Sequence, residues 1–298
     1  MPDEIKDALL IYNPASGRKR HRRFVEIEQA VRVLKDAGTI AELAPTTGRG
    51  SATEIARNAV KQRRGMVIVC GGDGTVNEIA TYVPQPPFPV ALLPAGTANV
   101  LARELSLPLN PVKALKIALK RATRRIDLGN LGPESRRRFL FVAGIGFDAY
   151  VVSKVRAGLK SKLGMAAYAI AILECLRSYP FPEFQVVVDN RTFVATSCLA
   201  CNSKRYGGGL LFLPDSDMSD GLLDILVLEG KRRVGLARFL FQAFLQRPER
   251  GDWIHRLRAS SLRIDGPKTV LIQADGELAG GLPADITLTN SAFPLVIP

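Results

Sequence analysis

Short apolar runs and helix-like segments alternate through the first third of the chain, and this alternation limits the fold more than any other feature. Residues 8–12 (ALLIY) form a short buried-type strand that stops at the turn residues Asn13, Pro14, Ser16 and Gly17. Phe24, Ile27, Val31 and Leu34 then recur at three- and four-residue spacing, which predicts a helix over 24–37 with Gly38 as its stop. The same reading predicts strands over 40–44, 66–70 and 90–93, and helices over 51–62, 75–82 and 111–121. Strands separated by helices imply a parallel sheet with right-handed crossovers. Ligands of such sheets sit beyond the carboxyl ends of the strands. Three of those ends here read NPASG, GGDGTVN and PAGTAN, so glycine-bearing loops are expected to line one crevice.

The pattern changes near Asp127. Strand-like runs dominate from there, over 138–143, 184–188, 192–202, 222–228, 261–264, 269–274 and 286–288, interrupted by helical regions over 149–178 and 232–246. At 298 residues the chain exceeds most single cores. Two domains are therefore expected: an α/β domain over 1–127 joined by a C-terminal segment of about 288–298, and a β-rich domain over 128–287.

Forty-one Lys and Arg against 28 Asp and Glu give a net charge of +13, which favours an anionic partner. Basic residues cluster at 18–23 (RKRHRR), 136–138, 231–233 and 247–258. A nucleic-acid binder is one reading of that charge. It lacks a recognition motif and interleaved aromatics, with one Trp and six Tyr, and no nucleic acid is expected as partner. The four cysteines, Cys70, Cys175, Cys198 and Cys201, each sit in an apolar run and read as buried thiols rather than a disulfide scaffold. No basic segment and long apolar run open the chain, and residues 163–176 fall short of the roughly 20 residues that a bilayer span needs. A cytoplasmic protein with at most peripheral membrane contact is the expectation.

Several chemistries can be set aside. No G-x-x-x-x-G-K-[ST] occurs, and Gly72-x-Gly74-x-x-Asn77 lacks the third glycine of a dinucleotide fingerprint. Only His21 and His255 are present, both among arginines, which disfavours a His-dependent triad or a His-rich zinc site. Carboxylates beside glycines remain: Asp73 in GGDGT, Asp127 in RIDLG, Asp217, Asp220 and Asp224 in PDSDMSDGLLD, and Asp275 and Glu277 in ADGE. Each alone is ordinary turn chemistry. Magnesium, however, takes one or two carboxylates together with substrate phosphates, and phosphoryl transfer needs a base for the acceptor hydroxyl. On that reading Asp73 holds a metal or its water while the N–H groups of Gly71 to Thr75 hold phosphates.

NPASG, GGDGTVNE, PAGTANVLAR, GIGFDA, the GGG-x4-P-x5-DG-x-LD run and ADGE occur in the order found in the diacylglycerol kinase catalytic-domain family, which the chain resembles from about residue 8 to its end. The resemblance implies a Rossmann-like N-terminal domain, a β-sandwich second domain, and catalysis in the cleft between them. It implies a kinase that uses ATP and Mg²⁺, with a lipid hydroxyl as acceptor. Carried over by position, Asn13, Ser16, Gly17, Thr46, Gly71, Gly72, Asp73, Gly74, Thr75, Val76, Asn77, Gly96, Thr97 and Asn99 lie at the nucleotide. Glu277 matches the base, with Asp73 and Asp127 in the carboxylate, water and magnesium network. A structural metal site corresponds to Asp220 with the backbone carbonyls of Asp217 and Leu222. Many members carry an acidic residue where this chain has Ser219, which weakens that site. A kinase of a small soluble acceptor such as NAD is the rival reading, since GGDGT occurs in those relatives too.

A lipid acceptor also needs a route to the bilayer. Lys154, Arg156, Lys160 and Lys162 ahead of an apolar stretch, and the RKRHRR segment, are the expected contacts with an anionic membrane at its inner face. A homodimer is allowed for. The motifs do not encode which lipid is the acceptor.

Overall fold

The structure is a computed structural model describing residues 6–17, 23–83, 85–120, 122–132, 137–154, 165–206, 210–211, 213–247 and 251–298, without the side chains of 165–170 and 210. It divides into two compact units, residues 1–126 with 291–298, and residues 127–290.

In the first unit, β1 (Asp7–Tyr12), α1 (Arg23–Asp36), β2 (Ile40–Pro45), α2 (Ser51–Lys61), β3 (Met66–Gly71), α3 (Asp73–Tyr82), β4 (Val90–Pro94), α4 (Val100–Glu104) and α5 (Pro111–Ala118) follow in order. The strands lie side by side as β2-β1-β3-β4, every pair parallel, with Leu10 opposite Leu43 and Ile68, and Ile68 opposite Ala91. The order reverses at β1, so the crevice beyond the ends of β1 and β3 is a topological switch point. Both β3 and β4 are buried throughout, which is why they read as unbroken apolar runs. On one face Ile27, Ala30 and Leu34 of α1 and Leu115 of α5 pack on Leu10, Ile68 and Leu93. Full burial of each such Leu or Ile contributes about 1.5–3 kcal/mol.

β5 (Thr123–Leu131) leads into the second unit. There follow β6 (Arg137–Phe139), β7 (Val142–Gly146), α6 (Phe147–Lys154), α7 (Met165–Ser178), β8 (Phe184–Val188), β9 (Arg191–Ala195), β10 (Ser197–Cys201), β11 (Arg205–Tyr206), β12 (Leu210–Leu211), β13 (Leu223–Leu228), α8 (Arg233–Phe244), β14 (Ile254–Ala259), β15 (Ser261–Asp265), β16 (Leu271–Ala274), β17 (Glu277–Gly281) and β18 (Ala284–Val296), whose end returns to the first unit. One antiparallel sheet runs β14-β13-β10-β7-β16-β17, and β18, β15, β8 and β9 form the facing antiparallel layer. Val186, Ile264 and Ile286 of the second layer pack against Ile145, Cys198, Ile225 and Ile272 of the first. This is a β-sandwich.

Some expected boundaries shift. Within the helical region expected over 149–178, the described residues form α6 and α7, and residues 155–164 lie outside those described. The run 192–202 is two strands, parted at Thr196, whose hydroxyl donates to the carbonyl of Gly230 at 2.9 Å. β14 lies inside a stretch read as a basic cluster, because its arginines occupy alternate positions of a strand. Cys198 and Cys201 are both buried, and burial pushes the Cys198 thiol up to about 12. Among the described residues no helix is long and apolar enough to cross a membrane.

Candidate active site

At the switch point of the first unit, backbone hydrogen bonds stitch the loops together. Asn13 N–H donates to the carbonyl of Cys70 at 3.1 Å, Thr46 N–H to Tyr12 at 2.8 Å, and Ala95 N–H to Gly71 at 2.9 Å. Asn13 Oδ1 accepts from Ala15 N–H at 2.9 Å, and the Asn13 carbonyl accepts the Ser16 hydroxyl at 3.0 Å, which shapes the turn through Gly17. The GGDGT and PAGTAN loops meet glycine to glycine: a Cβ on Gly96 would lie 2.5 Å from the Cα of Gly72. Only glycine at both positions permits this approach.

Gly72 is the N-cap of α3 and offers no side chain to its first-turn amides. The helix N-terminus therefore presents N–H groups where an anion is favoured. Gly74 and Thr97 are exposed, while Thr75 and Val76 are buried, so Val76 can contribute only backbone to a ligand. Asn77 Oδ1 accepts from the Thr81 hydroxyl at 3.1 Å. Asn99 stands at φ 49° and its Oδ1 accepts from Gly96 N–H at 2.8 Å, closing the PAGTAN turn.

Asp73 has a positioning role that the sequence reading did not include. Its Oδ2 accepts from Val100 N–H at 3.0 Å and its Oδ1 from Leu101 N–H at 2.9 Å, so the carboxylate caps α4. A carboxylate has about four lone-pair sites, and these bonds use two of them. One carboxylate with spare lone pairs fits a magnesium ion whose other ligands are substrate phosphates and water.

Arg23 is the residue of this unit that sequence reasoning misplaced. It closes the RKRHRR run expected at a membrane, yet it is only 3% exposed. Its guanidinium donates to the carbonyls of Ser16 at 3.1 Å and Ala95 at 2.8 Å, and pairs with Glu26 at 2.7 Å. It thereby joins the loops after β1 and β4. The available signal was spacing: Arg23 lies four residues before Ile27, on the buried face of α1. Residues 18–22 lie outside those described.

In the second unit, Asp127 is buried and organises the acidic loop. Its N–H donates to the carbonyl of Met218 at 2.6 Å and its Oδ2 accepts from Gly221 N–H at 2.8 Å. Asp217 Oδ1 accepts both the N–H and the hydroxyl of Ser219, at 3.0 and 2.8 Å. Asp220 Oδ1 accepts from Leu222 N–H at 3.0 Å while its Oδ2 meets the guanidinium of Arg258. Arg258 also lies 3.1 Å from Asp224, whose carboxyl is raised chiefly by burial. Among the described residues no three His, Cys, Asp or Glu side chains gather as a metal site. The Arg258 guanidinium thus stands against Asp220, where the resemblance implies a structural cation held with the backbone carbonyls of Asp217 and Leu222.

The ADGE motif is a two-residue hairpin turn between β16 and β17, with Asp275 at φ 49° and Gly276 at φ 83°. The Asp275 carboxylate accepts from the N–H groups of Leu140 at 2.6 Å, Phe141 at 2.9 Å and Val142 at 3.0 Å, so it is an anchor. Gln273 Oε1 accepts from Gly276 N–H at 2.7 Å while its Nε2 donates to Asp148 Oδ2 at 2.6 Å. Asp148, the acid of GIGFDA, is half-buried as a residue, but its carboxyl lies among protein atoms. Burial pushes it up to about 7 against the hydrogen bonds of Gln273 and Tyr206. Glu277, 47% exposed, begins β17 with Oε2 2.8 Å from Arg137, whose other nitrogen donates to the carbonyl of Leu278 at 3.1 Å. The sequence marked Arg137 only as part of a basic cluster.

Comparison with known proteins agrees with this architecture. Residues 7–131 match the diacylglycerol kinase catalytic domain and residues 142–297 the YegS C-terminal NAD kinase beta sandwich-like domain. The chain is 33% identical to a diacylglycerol kinase of Mycobacterium tuberculosis, covering 99% of this chain and 96% of that one. It is 28% identical to a diacylglycerol kinase of Bacillus subtilis, covering 99% and 97%. A crystal structure of a diacylglycerol kinase from Bacillus anthracis shares the fold, with a TM-score of 0.78 at 21% identity over 99% of this chain and 98% of that one. The chain belongs to the diacylglycerol kinase catalytic-domain family and is a kinase.

Proposed function

We propose that the chain transfers the γ-phosphoryl group of ATP to the hydroxyl of a lipid, with diacylglycerol or a related lipid as acceptor. The observation that carries the reading is the uncapped N-terminus of α3 at the switch point of a parallel sheet, beside the Gly72 and Gly96 contact. The relatives named diacylglycerol kinase support the choice of acceptor.

In this reading Asn13, Ser16, Gly17, Thr46, the amides of 71–77 and the Gly96 to Asn99 turn hold the nucleotide. Magnesium, when bound with it, supplies positive charge to the phosphate oxygens, and Asp73 would hold it or its water. Glu277 takes the proton of the lipid hydroxyl as that oxygen forms its bond to the γ-phosphorus and the bond to the leaving β-phosphate oxygen breaks. Arg137 orients the Glu277 side chain and keeps a cation beside it. Asp275 and the Asp148–Gln273 pair fix the turn that presents it.

A labelled-ATP assay with Mg²⁺ against dispersed diacylglycerol, other hydroxylated lipids and NAD tests this. Glu277→Gln should abolish lipid phosphorylation with ATP binding largely intact. Near-normal turnover by that variant, or transfer to NAD and to no lipid, would sink the reading.

A further inference from the structure

An exposed apolar face on α8 has no role in the chemistry above. The helix buries Leu236, Phe239 and Ala243 against its own unit. Val234, Arg238 and Phe241, with Leu245 just past the helix end, follow the i, i+4, i+7, i+11 spacing of the opposite face. Val234 is 83%, Phe241 59%, Phe244 68% and Leu245 44% exposed. A helix that is apolar on both faces is normally enclosed. Between 231 and 247 the sequence carries Lys231, Arg232, Arg233, Arg238 and Arg247 and no acidic residue. Lys231, Arg232 and Arg238 line one shallow groove of about 560 Å³ with Trp253, the only tryptophan of the chain. Arg233 lines the same groove and also donates to the carbonyls of Leu176 at 2.8 Å and Tyr179 at 3.3 Å, so α8 is fastened to the end of α7.

We infer that α8 is the face by which this protein docks on an anionic lipid surface. Phe241, Phe244, Leu245 and Val234 enter the boundary between headgroups and acyl chains, and the basic residues around them meet lipid phosphates. Charge decides between a membrane and a second copy of the chain as occupant. Two copies pairing through this face would bring two basic runs together, with no acid within 231–247 to pair them, whereas an anionic bilayer neutralises the charge and covers the exposed apolar area. The surface differs from the membrane contacts expected from sequence, of which Arg23 is buried and Arg156, Lys160 and Lys162 lie outside the described residues. The choice of a lipid partner rests on the lipid-kinase reading.

The test is co-sedimentation of the full chain, without nucleotide, with phosphatidylcholine vesicles and with vesicles that also contain phosphatidylglycerol. Trp253 emission reports the groove in the same samples. Binding is expected only to the anionic vesicles, falling with added salt. Phe241→Ser with Phe244→Ser, and separately Lys231→Glu with Arg232→Glu, should each lower partitioning at least about tenfold. All four residues are exposed, so thermal stability should not move, and turnover of a water-soluble short-chain diacylglycerol should be unchanged while turnover of vesicle-borne acceptor falls. Binding indifferent to lipid charge or to both variants would overturn the inference, as would a dimer abolished by the phenylalanine substitutions without vesicle binding. Sedimentation reads docking alone and Glu277→Gln reads the chemistry alone, so the two can fail separately.

Discussion

Removing the carboxylate of Asp275 tests whether the ADGE turn is held from behind by backbone amides. Three N–H groups, those of Leu140, Phe141 and Val142, converge on it at 2.6 to 3.0 Å, and those three residues are 0–5% exposed. In Asp275→Ala all three donors lose their partner. Each buried donor left unsatisfied costs about 1–3 kcal/mol, and alanine at φ 49° adds about 1–2 kcal/mol of left-handed strain. With partial rescue by water, a loss of roughly 3–6 kcal/mol follows, a large share of the 5–15 kcal/mol that typically separates folded from unfolded chains. Asp275→Asn tolerates the left-handed backbone and can keep Oδ1 for Phe141 and Val142, but turns an NH₂ toward the Leu140 N–H. It should lose about 2–3 kcal/mol. Urea denaturation of the two variants gives the stabilities, and single-turnover phosphorylation gives the effect on Glu277. The turn should shift enough to lower kcat by about 100-fold in Asp275→Asn, with the KM for ATP unchanged. If the alanine variant keeps wild-type stability within about 0.5 kcal/mol, or the asparagine variant turns over normally, the anchoring argument is refuted.

Asp73→Asn should destabilise the first unit by about 1–2 kcal/mol even without magnesium, because one amide acceptor at α4 becomes a donor facing Val100 or Leu101; thermal melts with and without Mg²⁺ read this, and a loss confined to the magnesium-bound protein would refute the capping role. Arg23→Met should cost about 3 kcal/mol and raise the KM for ATP, since it leaves Glu26 and two loop carbonyls unpaired; an unchanged melt would count against it. Asp148 has a folded pKa of about 7 against an ordinary 3.8, so the folded state binds the extra proton between those values. Its contribution to stability therefore falls as pH rises from about 4 through about 7 and is flat above. Melting temperature against pH should show that slope in the wild type and lose it in Asp148→Asn, in which the amide oxygen can still accept from Gln273.

Which parts could be read from sequence follows from whether the cause is local. The alternation of strands and helices in the first unit is written in periodicity, since β3 and β4 need a continuous apolar run and α1 needs Ile27, Ala30 and Leu34 on one face. The glycine loops were legible because only glycine allows the Gly72 and Gly96 approach. β14 and Arg23 were not, for one reason: a run of arginines looks solvated until a fold supplies acceptors. Arg258 finds Asp220 and Asp224, and Arg23 finds Ser16 and Ala95, over separations that no local pattern records.

The sequence by itself determined the parallel α/β unit, the strand-rich second unit and the family, because these rest on periodicity and on ordered short motifs. Only the tertiary structure decided what each carboxylate does. Asp73 caps a helix 27 residues away, Asp275 gathers amides from more than 130 residues upstream, and Asp220 meets an arginine 38 residues on. A carboxylate's role is set by the donors and cations that packing brings within about 3 Å of it, and chain order does not encode that distance.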